Sequence, residues 1–228
     1  HVNKRSDQYG GDINGRMKLP VDIVKAVREA VGEDFIIVFR LSVIDLVKDG
    51  NVMDEVITVA KALEEAGVTI MNTGIGWHEA RVPTIVTSVP RAAFVDFTAE
   101  IKKHINIPMM ASNRINMPDT AEDIVANGQA DLIQMARPFL ADAHWVNKAE
   151  KGQADRINTC IACNQACLDH TFENKRSTCL VNPQACHETE LVYKKAKKPQ
   201  KVAVVGGGVA GMSAAHVSDL RGPKVRLF

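Results

Sequence analysis

The stretch PVDIVKAVREAVGEDFIIVF, residues 20–39, joins a helical pattern to a strand pattern. Gly32 follows the helical part, where a glycine often ends a helix. The run at residues 35–39 is short, continuous and apolar, which is typical of a strand buried on both faces of a parallel sheet. The apolar residues before Gly32 recur at helical spacing, at Ile23, Val24, Val27 and Val31. The stretch therefore predicts an amphipathic helix followed by a buried strand.

The same alternation continues along the chain and predicts a parallel α/β fold. Further strand patterns occupy residues 68–72, 108–112 and 131–135. Helical patterns occupy residues 52–66, 92–104, 118–128 and 141–150. Because a helix leads and strand–helix units follow, the C-terminal half of a (β/α)₈ TIM barrel fits at least as well as an open doubly wound sheet. Periodicity alone does not separate these two architectures.

Composition and charge exclude several classes of partner. The chain is 46% apolar with a formal net charge of +1, and its Lys and Arg residues are dispersed. This distribution gives no electrostatic motive for binding nucleic acid or a membrane surface. There is no apolar run long enough to cross a bilayer and no signal-peptide pattern. We therefore expect a cytoplasmic protein.

All the cysteines lie close together near the middle of the second half of the chain. Disulfides are rare in the cytoplasm, and an odd number of cysteines argues further against a disulfide framework. The spacing x2, x3, x11 predicts the ligands of a [4Fe–4S] cluster, which takes four thiolates. A structural zinc ion, which more often uses two separated C-x2-C pairs, and unligated thiols remain alternatives. The predicted ligands are Cys160, Cys163, Cys167 and Cys179.

The fifth cysteine, Cys186, lies seven residues beyond Cys179. We expect it to be a small buried apolar residue and not a ligand.

A glycine motif follows the strand pattern at residues 201–205 and precedes a helical pattern at residues 212–220. Gly206, Gly208 and Gly211 satisfy G-x-G-x-x-G, which lets a backbone approach a pyrophosphate at a helix N-terminus. Because a second strand pattern begins at residue 224, the motif predicts the start of a Rossmann-like FAD- or NAD(P)-binding domain. A plain glycine-rich turn is the alternative. The predicted division is therefore residues 1–152 for the barrel, 153–199 for the cysteine segment and linker, and 200–228 for the dinucleotide domain.

Three arginines end or follow strand patterns, and one histidine lies in a long loop. Arg40, Arg114 and Arg137 would meet at one mouth of a parallel sheet, where they suit a phosphate-bearing ligand, although each alone fits a surface ion pair. His78 lies in the long loop at residues 72–91, which we expect to be structureless and functional. It is a candidate proton donor, although an ordinary exposed histidine is the alternative.

Four motifs together resemble one family. NKRSDQYGGD at residues 3–12, GIGWHEAR at 74–81, MARPFLAD at 135–142 and CIACNQACLD at 160–169 are similar to the bacterial NADPH-dependent 2,4-dienoyl-CoA reductases. These are iron–sulfur flavoenzymes of the old yellow enzyme superfamily. The resemblance covers essentially the whole chain. It implies that electrons pass from NADPH to FAD, through the [4Fe–4S] cluster to FMN, and then to an unsaturated acyl-CoA in the β-oxidation of unsaturated fatty acids.

The resemblance also implies roles for individual residues. His78 would belong to a proton-donating pair with a tyrosine that this chain does not contain, and Arg81 would meet the CoA-bearing substrate. Arg40 would face the flavin ring near N1. The predicted contacts of the FMN phosphate are Arg114, Ala136 and Arg137.

The resemblance further predicts that the chain is an internal piece, and that the isolated 228 residues neither hold FMN well nor reduce dienoyl-CoA. Two other functions remain open. One is a related iron–sulfur flavin oxidoreductase, either an amine dehydrogenase or another ene-reductase. The other is a zinc-stabilised α/β binding protein without a redox role.

Overall fold

The computed structural model describes residues 2–228, which form two compact units, one ending at Asn182 and the other spanning Pro183–Phe228. A sheet of four parallel strands organises the first unit, and its strand order follows the sequence. The strands are β1 (Val38–Ile44), β2 (Ile70–Ile75), β3 (Met109–Ala111) and β4 (Leu132–Ile133). Sequential parallel strands with helices between them are consistent with half of a (β/α)₈ barrel, as predicted.

The helices of the first unit precede, connect and follow these strands. They are α1 (Ile13–Val31), α2 (Met53–Glu65), α3 (Val95–Lys102), α4 (Pro118–Ala126), α5 (Arg137–Ala141), α6 (Trp145–Glu150) and, in the cysteine segment, α7 (Leu168–Phe172). The sequence pattern placed the start of α1 at Pro20, which is wrong. The helix begins earlier because the Asp12 carboxylate caps it, accepting the Gly15 N–H at 3.1 Å.

The pattern at residues 141–150 predicts one helix, but the structure has two. Asp142 ends α5 in an extended conformation, and α6 begins at Trp145. The Asp142 carboxylate accepts the His144 N–H at 3.0 Å. This hydrogen bond stabilises a turn between the two helices, where the pattern predicted a continuous helix.

The two faces of the sheet have different chemistry. Val43, Met71 and Met109 are buried on the face that packs against α1, α2 and α3. Because neighbouring residues of a strand point to opposite faces, Arg40 and Asn72 share the other face, where they pair in register. The apolar face therefore supplies the core, and the polar face is left for a ligand.

The prediction of a strand at residues 35–39 buried on both faces is wrong. The strand begins at Val38, and Phe35 and Ile36 are 61% and 62% exposed. Phe35 and Ile36 lie in the connection that precedes the strand, so only residues 38 and 39 of the predicted run pair with β2.

The second unit contains two parallel strands, β5 (Lys201–Val204) and β6 (Lys224–Leu227), joined through α8 (Val209–Leu220). The glycine motif lies between β5 and α8, as predicted, although α8 starts before residue 212. Gly206 has a φ of 105°, which favours glycine. A Cβ atom on Gly211 would lie 1.8 Å from the Gly206 carbonyl oxygen. The tight turn therefore needs glycine at both positions.

Within residues 2–228, no helix combines the length and the apolar character needed to cross a membrane.

Candidate cofactor-binding site

One cavity brings together the residues predicted to contact FMN. Arg40 reaches it from β1, Arg114 follows β3, and Ala136 and Arg137 follow β4. The carboxyl ends of parallel strands meet at one edge of a sheet, which is why residues so distant in sequence converge here. We call this space the arginine cavity. Its wall also contains Ile85, Ser112, Asn116, Gln134 and Cys160.

The three guanidinium groups of the arginine cavity bond only to neutral acceptors among the described residues. Arg40 donates to Gln134 Oε1 at 2.8 Å. Arg114 donates to the Val89 carbonyl at 2.8 Å. Arg137 donates to the Ile85 carbonyl at 2.8 Å. Because no carboxylate among residues 2–228 pairs with these cations, the cavity is suited to an anion such as a phosphate.

Burial and repulsion both act on Arg114. Burial lowers the pKa of its guanidinium, and the neighbouring charges of Arg137 and Arg91 lower that pKa further, while Cys160 opposes the shift. A bound dianion would remove part of this repulsion. The donor set of the cavity therefore fits the phosphate group of a flavin mononucleotide.

The backbone around Arg114 is held in an uncommon conformation. Asn113 and Arg114 have φ values of 70° and 57°, in the left-handed region. The Ala92 N–H bonds to the Arg114 carbonyl at 3.1 Å, and Ser112 Oγ donates to the Thr73 carbonyl. Such conformations persist where the surroundings hold them, often at ligand sites. Here they direct Arg114 toward the arginine cavity.

The four predicted cluster ligands line a second cavity. All four thiols are partly buried. Burial raises the pKa of the Cys179 thiol, and the nearby thiols of Cys160 and Cys163 raise it further. Hydrogen bonds from the backbone N–H groups of Val181 and Asn182 lower this pKa and offset part of the increase. We call this space the cysteine cavity.

Within residues 2–228, no group of three or more His, Cys, Asp or Glu side chains is arranged to hold a metal ion. A zinc ion would draw four thiolates to about 2.3 Å from one point. The four thiols instead line one cavity, and an iron–sulfur cluster bound by four thiolates would lie there.

Cys186 is exposed and lies in the second unit, so the prediction of a buried apolar residue is wrong. The reason is local. Its backbone turns through a φ of 60°, and its N–H bonds to Glu188 Oε1 at 3.0 Å, which places the residue in a surface turn.

The two cavities are adjacent, because Arg137 and Cys160 line both of them. The buried side chain of Asn116 joins the walls: its amide donates to the Cys160 carbonyl at 2.8 Å and its oxygen accepts Arg91 Nε at 2.9 Å. Trp145 Nε1 donates to the Asn116 carbonyl at 3.2 Å. The start of the cysteine segment is therefore fixed relative to the arginine cavity.

Asp142 provides a second anchor for the cysteine segment. This carboxylate is 4% exposed and accepts Lys148 Nζ at 2.5 Å and the Asn158 N–H at 2.9 Å. Burial alone would raise the pKa of Asp142, but the Lys148 ammonium and the N–H groups of Asn158 and His144 outweigh it and lower that pKa.

The loop that carries His78 is shorter than predicted, because residues 72–75 belong to β2. The N–H groups of Gly76 and Trp77 bond to the carbonyls of Ile44 and Asp45 at 2.7 and 2.6 Å. His78 itself is exposed, as is Arg81, and neither is part of the wall of the arginine cavity.

The far end of this loop does contact both cavities. Ile85 and Val89 supply the carbonyls that hold Arg137 and Arg114, and Thr87 Oγ1 donates to the Ile161 carbonyl at 2.6 Å. The structure therefore links the loop to the cavities without bringing His78 and Arg81 into them.

Sequence reasoning missed four residues of this network. Asn116 and Asp142 are nearly buried polar residues, and the amides of Gln134 and Asn164 orient Arg40 and Arg137. Each of these four residues lies within or beside a quoted motif or a strand end, and this position was the available sign of a role in the site. Their partners lie elsewhere in the sequence, however, so no local pattern assigned them roles.

The parallel strands and the cation-lined cavity at their ends are typical of α/β proteins whose strand ends accept a phosphate-bearing ligand. Residues 1–156 match the NADH:flavin oxidoreductase / NADH oxidase family, so the chain belongs to that family of flavin-dependent oxidoreductases. Membership supports FMN and NAD(P)H as cofactors. It confirms the old yellow enzyme relationship predicted from the motifs at the level of the family.

Similar proteins extend over the whole chain. A metal reductase of Desulforamulus reducens is 44% identical over 227 residues, which are 100% of this chain and 34% of that protein. An NADH oxidase of Thermoanaerobacter brockii is 41% identical over 233 residues, covering 100% of this chain and 35% of that protein. The solved structure of a 2-naphthoyl-CoA reductase complexed with 2-naphthoyl-CoA is 35% identical with a TM-score of 0.96, covering 99% of this chain and 35% of that one. The chain thus spans about a third of the length of these relatives.

Proposed function

We propose that this chain supplies the flavin-binding and electron-transferring centre of an NAD(P)H-dependent enzyme that reduces a carbon–carbon double bond conjugated to an acyl-CoA thioester. The proposed substrate is a 2,4-dienoyl-CoA, reduced to an enoyl-CoA during the β-oxidation of unsaturated fatty acids. The adjacency of the arginine and cysteine cavities, which share Arg137 and Cys160, carries this proposal.

In the arginine cavity, Arg114 and Arg137 would bind the FMN phosphate, with Ala136 beside it. Arg40 would face the flavin ring, held there by Gln134 and by Asn72 Oδ1 at 3.4 Å. A fixed guanidinium beside the ring would stabilise negative charge that develops on it. When bound, the flavin supplies both hydride and single-electron chemistry.

In the cysteine cavity, Cys160, Cys163, Cys167 and Cys179 would hold a [4Fe–4S] cluster, which carries single electrons. The short distance between cavities that share two residues suits electron exchange between the two groups. Residues 153–199 would then form a cluster segment and linker between the half barrel of residues 1–152 and the dinucleotide-binding part that begins at residue 200.

The second unit supports the remaining part of the electron path. Gly206, Gly208 and Gly211 form a tight turn between a parallel strand and a helix, the arrangement that holds a pyrophosphate. We propose that this turn binds FAD, which would accept electrons from NADPH.

The substrate class is proposed from the reductase that acts on 2-naphthoyl-CoA and matches 99% of this chain. His78 is proposed as a proton donor to the reduced carbon skeleton, and Arg81 as a contact of the CoA portion. Both are exposed, so a substrate can reach them from solvent.

The test is anaerobic turnover by the complete protein with NADPH and 2,4-hexadienoyl-CoA, followed by product analysis. The expected product is a hexenoyl-CoA with one double bond. Crotonyl-CoA, which lacks the second double bond, is the control and is expected to react poorly. Turnover of ferric citrate, oxygen or methylated amines without any dienoyl-CoA turnover would contradict the proposed substrate. A colourless protein with one bound zinc ion would contradict the redox function itself.

A further inference from the structure

Asn164 occupies a special position in the cysteine segment. It lies between Cys163 and Cys167 with a φ of 63°, a left-handed conformation that asparagine tolerates better than most residues. Its backbone carbonyl accepts the Asp169 N–H at 3.1 Å. The backbone conformation of Asn164 is therefore set by the local fold of the segment, and the direction of its side chain is set with it.

The side chain of Asn164 reaches out of this segment to Arg137. Its Oδ1 accepts a hydrogen bond from Arg137 Nη1, the nitrogen that also donates to the Ile85 carbonyl at 2.8 Å. The other guanidinium nitrogens, Nε and Nη2, make no hydrogen bond to any residue that the structure describes. The two acceptors thus orient the guanidinium through Nη1. The N–H groups of Nε and Nη2 remain available to a ligand.

We propose that Asn164 is a positioning residue that couples the cysteine segment to ligand binding in the arginine cavity. It fixes Arg137 in the orientation that binds the flavin phosphate, so that binding does not have to order this long side chain. Coupling between two sites is reciprocal, so a disordered cysteine segment weakens phosphate binding, and phosphate binding stabilises the segment. This inference rests on the proposed FMN site.

The test compares two neighbouring amide residues in the complete protein. Asn164→Gly removes the carboxamide, and glycine accepts the left-handed backbone without strain. Gln165→Ala is the matched control, because Gln165 is exposed and its side chain makes no hydrogen bond to the described residues. FMN affinity is measured by removing the flavin and titrating FMN back, with flavin fluorescence as the signal. Asn164→Gly is expected to raise the Kd for FMN about tenfold, and Gln165→Ala to leave it unchanged.

A double-mutant cycle separates positioning from general damage. Lysine has no planar guanidinium group that Asn164 could orient. In an Arg137→Lys background, adding Asn164→Gly is therefore expected to change the Kd for FMN little further. Equal FMN affinity of Asn164→Gly and wild type would overturn the inference, as would a tenfold loss that persists in full in the Arg137→Lys background. A wild-type complete protein that binds no FMN at all would instead refute the proposed function, and the inference with it.

Discussion

Replacement of Asp142 by asparagine is expected to loosen the start of the cysteine segment. The carboxylate accepts the Lys148 ammonium on one oxygen at 2.5 Å and the Asn158 N–H on the same oxygen at 2.9 Å, while the other oxygen accepts the His144 N–H at 3.0 Å. An amide has one acceptor oxygen, so at least one of these donors must face an NH₂ group. A buried donor left unsatisfied costs about 1–3 kcal/mol.

Because the Asp142 carboxylate is 4% exposed and Lys148 is 26% exposed, the ammonium recovers part of its hydration when the pair is broken. We therefore expect Asp142→Asn to lower the free energy of unfolding by about 2 kcal/mol. The assay is urea unfolding at pH 7, with Asp155→Asn, an exposed aspartate close by, as the control. The control is expected to change stability by less than about 0.5 kcal/mol.

The pH dependence provides an independent check. The pKa of Asp142 is lowered in the folded state. Its contribution to stability is therefore fully present above the unfolded pKa of about 4, and it is lost as the pH falls through the lower folded pKa. The difference between wild type and Asp142→Asn should shrink in that acidic range. A variant as stable as wild type at pH 7, or a difference that stays constant down to pH 2, would refute the role assigned to this carboxylate.

Three further changes test other parts of the structure. Arg114→Gln removes one cation from the arginine cavity and is expected to weaken FMN binding about tenfold or more, measured by titration of the flavin-free complete protein; unchanged affinity would count against a phosphate site there. His78→Ala is expected to lower kcat with dienoyl-CoA by about 100-fold or more while FMN content stays normal, and full activity would remove the residue from the proton-donating role. Gly211→Ala places a Cβ 1.8 Å from the Gly206 carbonyl, so FAD content should fall, and an unchanged content would show that the turn adapts.

The repeating pattern of the first unit could be predicted because it is local. Apolar runs at strand spacing and helical spacing predicted four parallel strands, although not the order in which they pair, and the strand ends pointed to Arg114 and Arg137. The start of β1 could not be predicted in this way, since the apolar run at residues 35–39 continues into the strand without a break while Phe35 and Ile36 precede it.

The contacts that connect the two cavities also could not be predicted from the sequence. Asn116 contacts Cys160 across 44 residues, and Arg137 contacts Asn164 across 27. No periodicity links residues at such separations, because the contacts depend on how loops meet at one end of the sheet. The start of α1 was missed for a more local reason: Pro20 reads as a helix start, but the true cap, Asp12, lies further upstream.

The cofactor content of the complete protein, purified without oxygen, tests the central claim most directly. Adjacent arginine and cysteine cavities predict one FMN together with about four iron and four acid-labile sulfide per chain, and a brown colour that bleaches on reduction. Substitution of Cys160 by serine should lower the iron content and also weaken FMN retention, since this residue lines both cavities. A protein that contains zinc in place of iron, or that contains iron and sulfide but no FMN, would contradict the assignment of these two cavities.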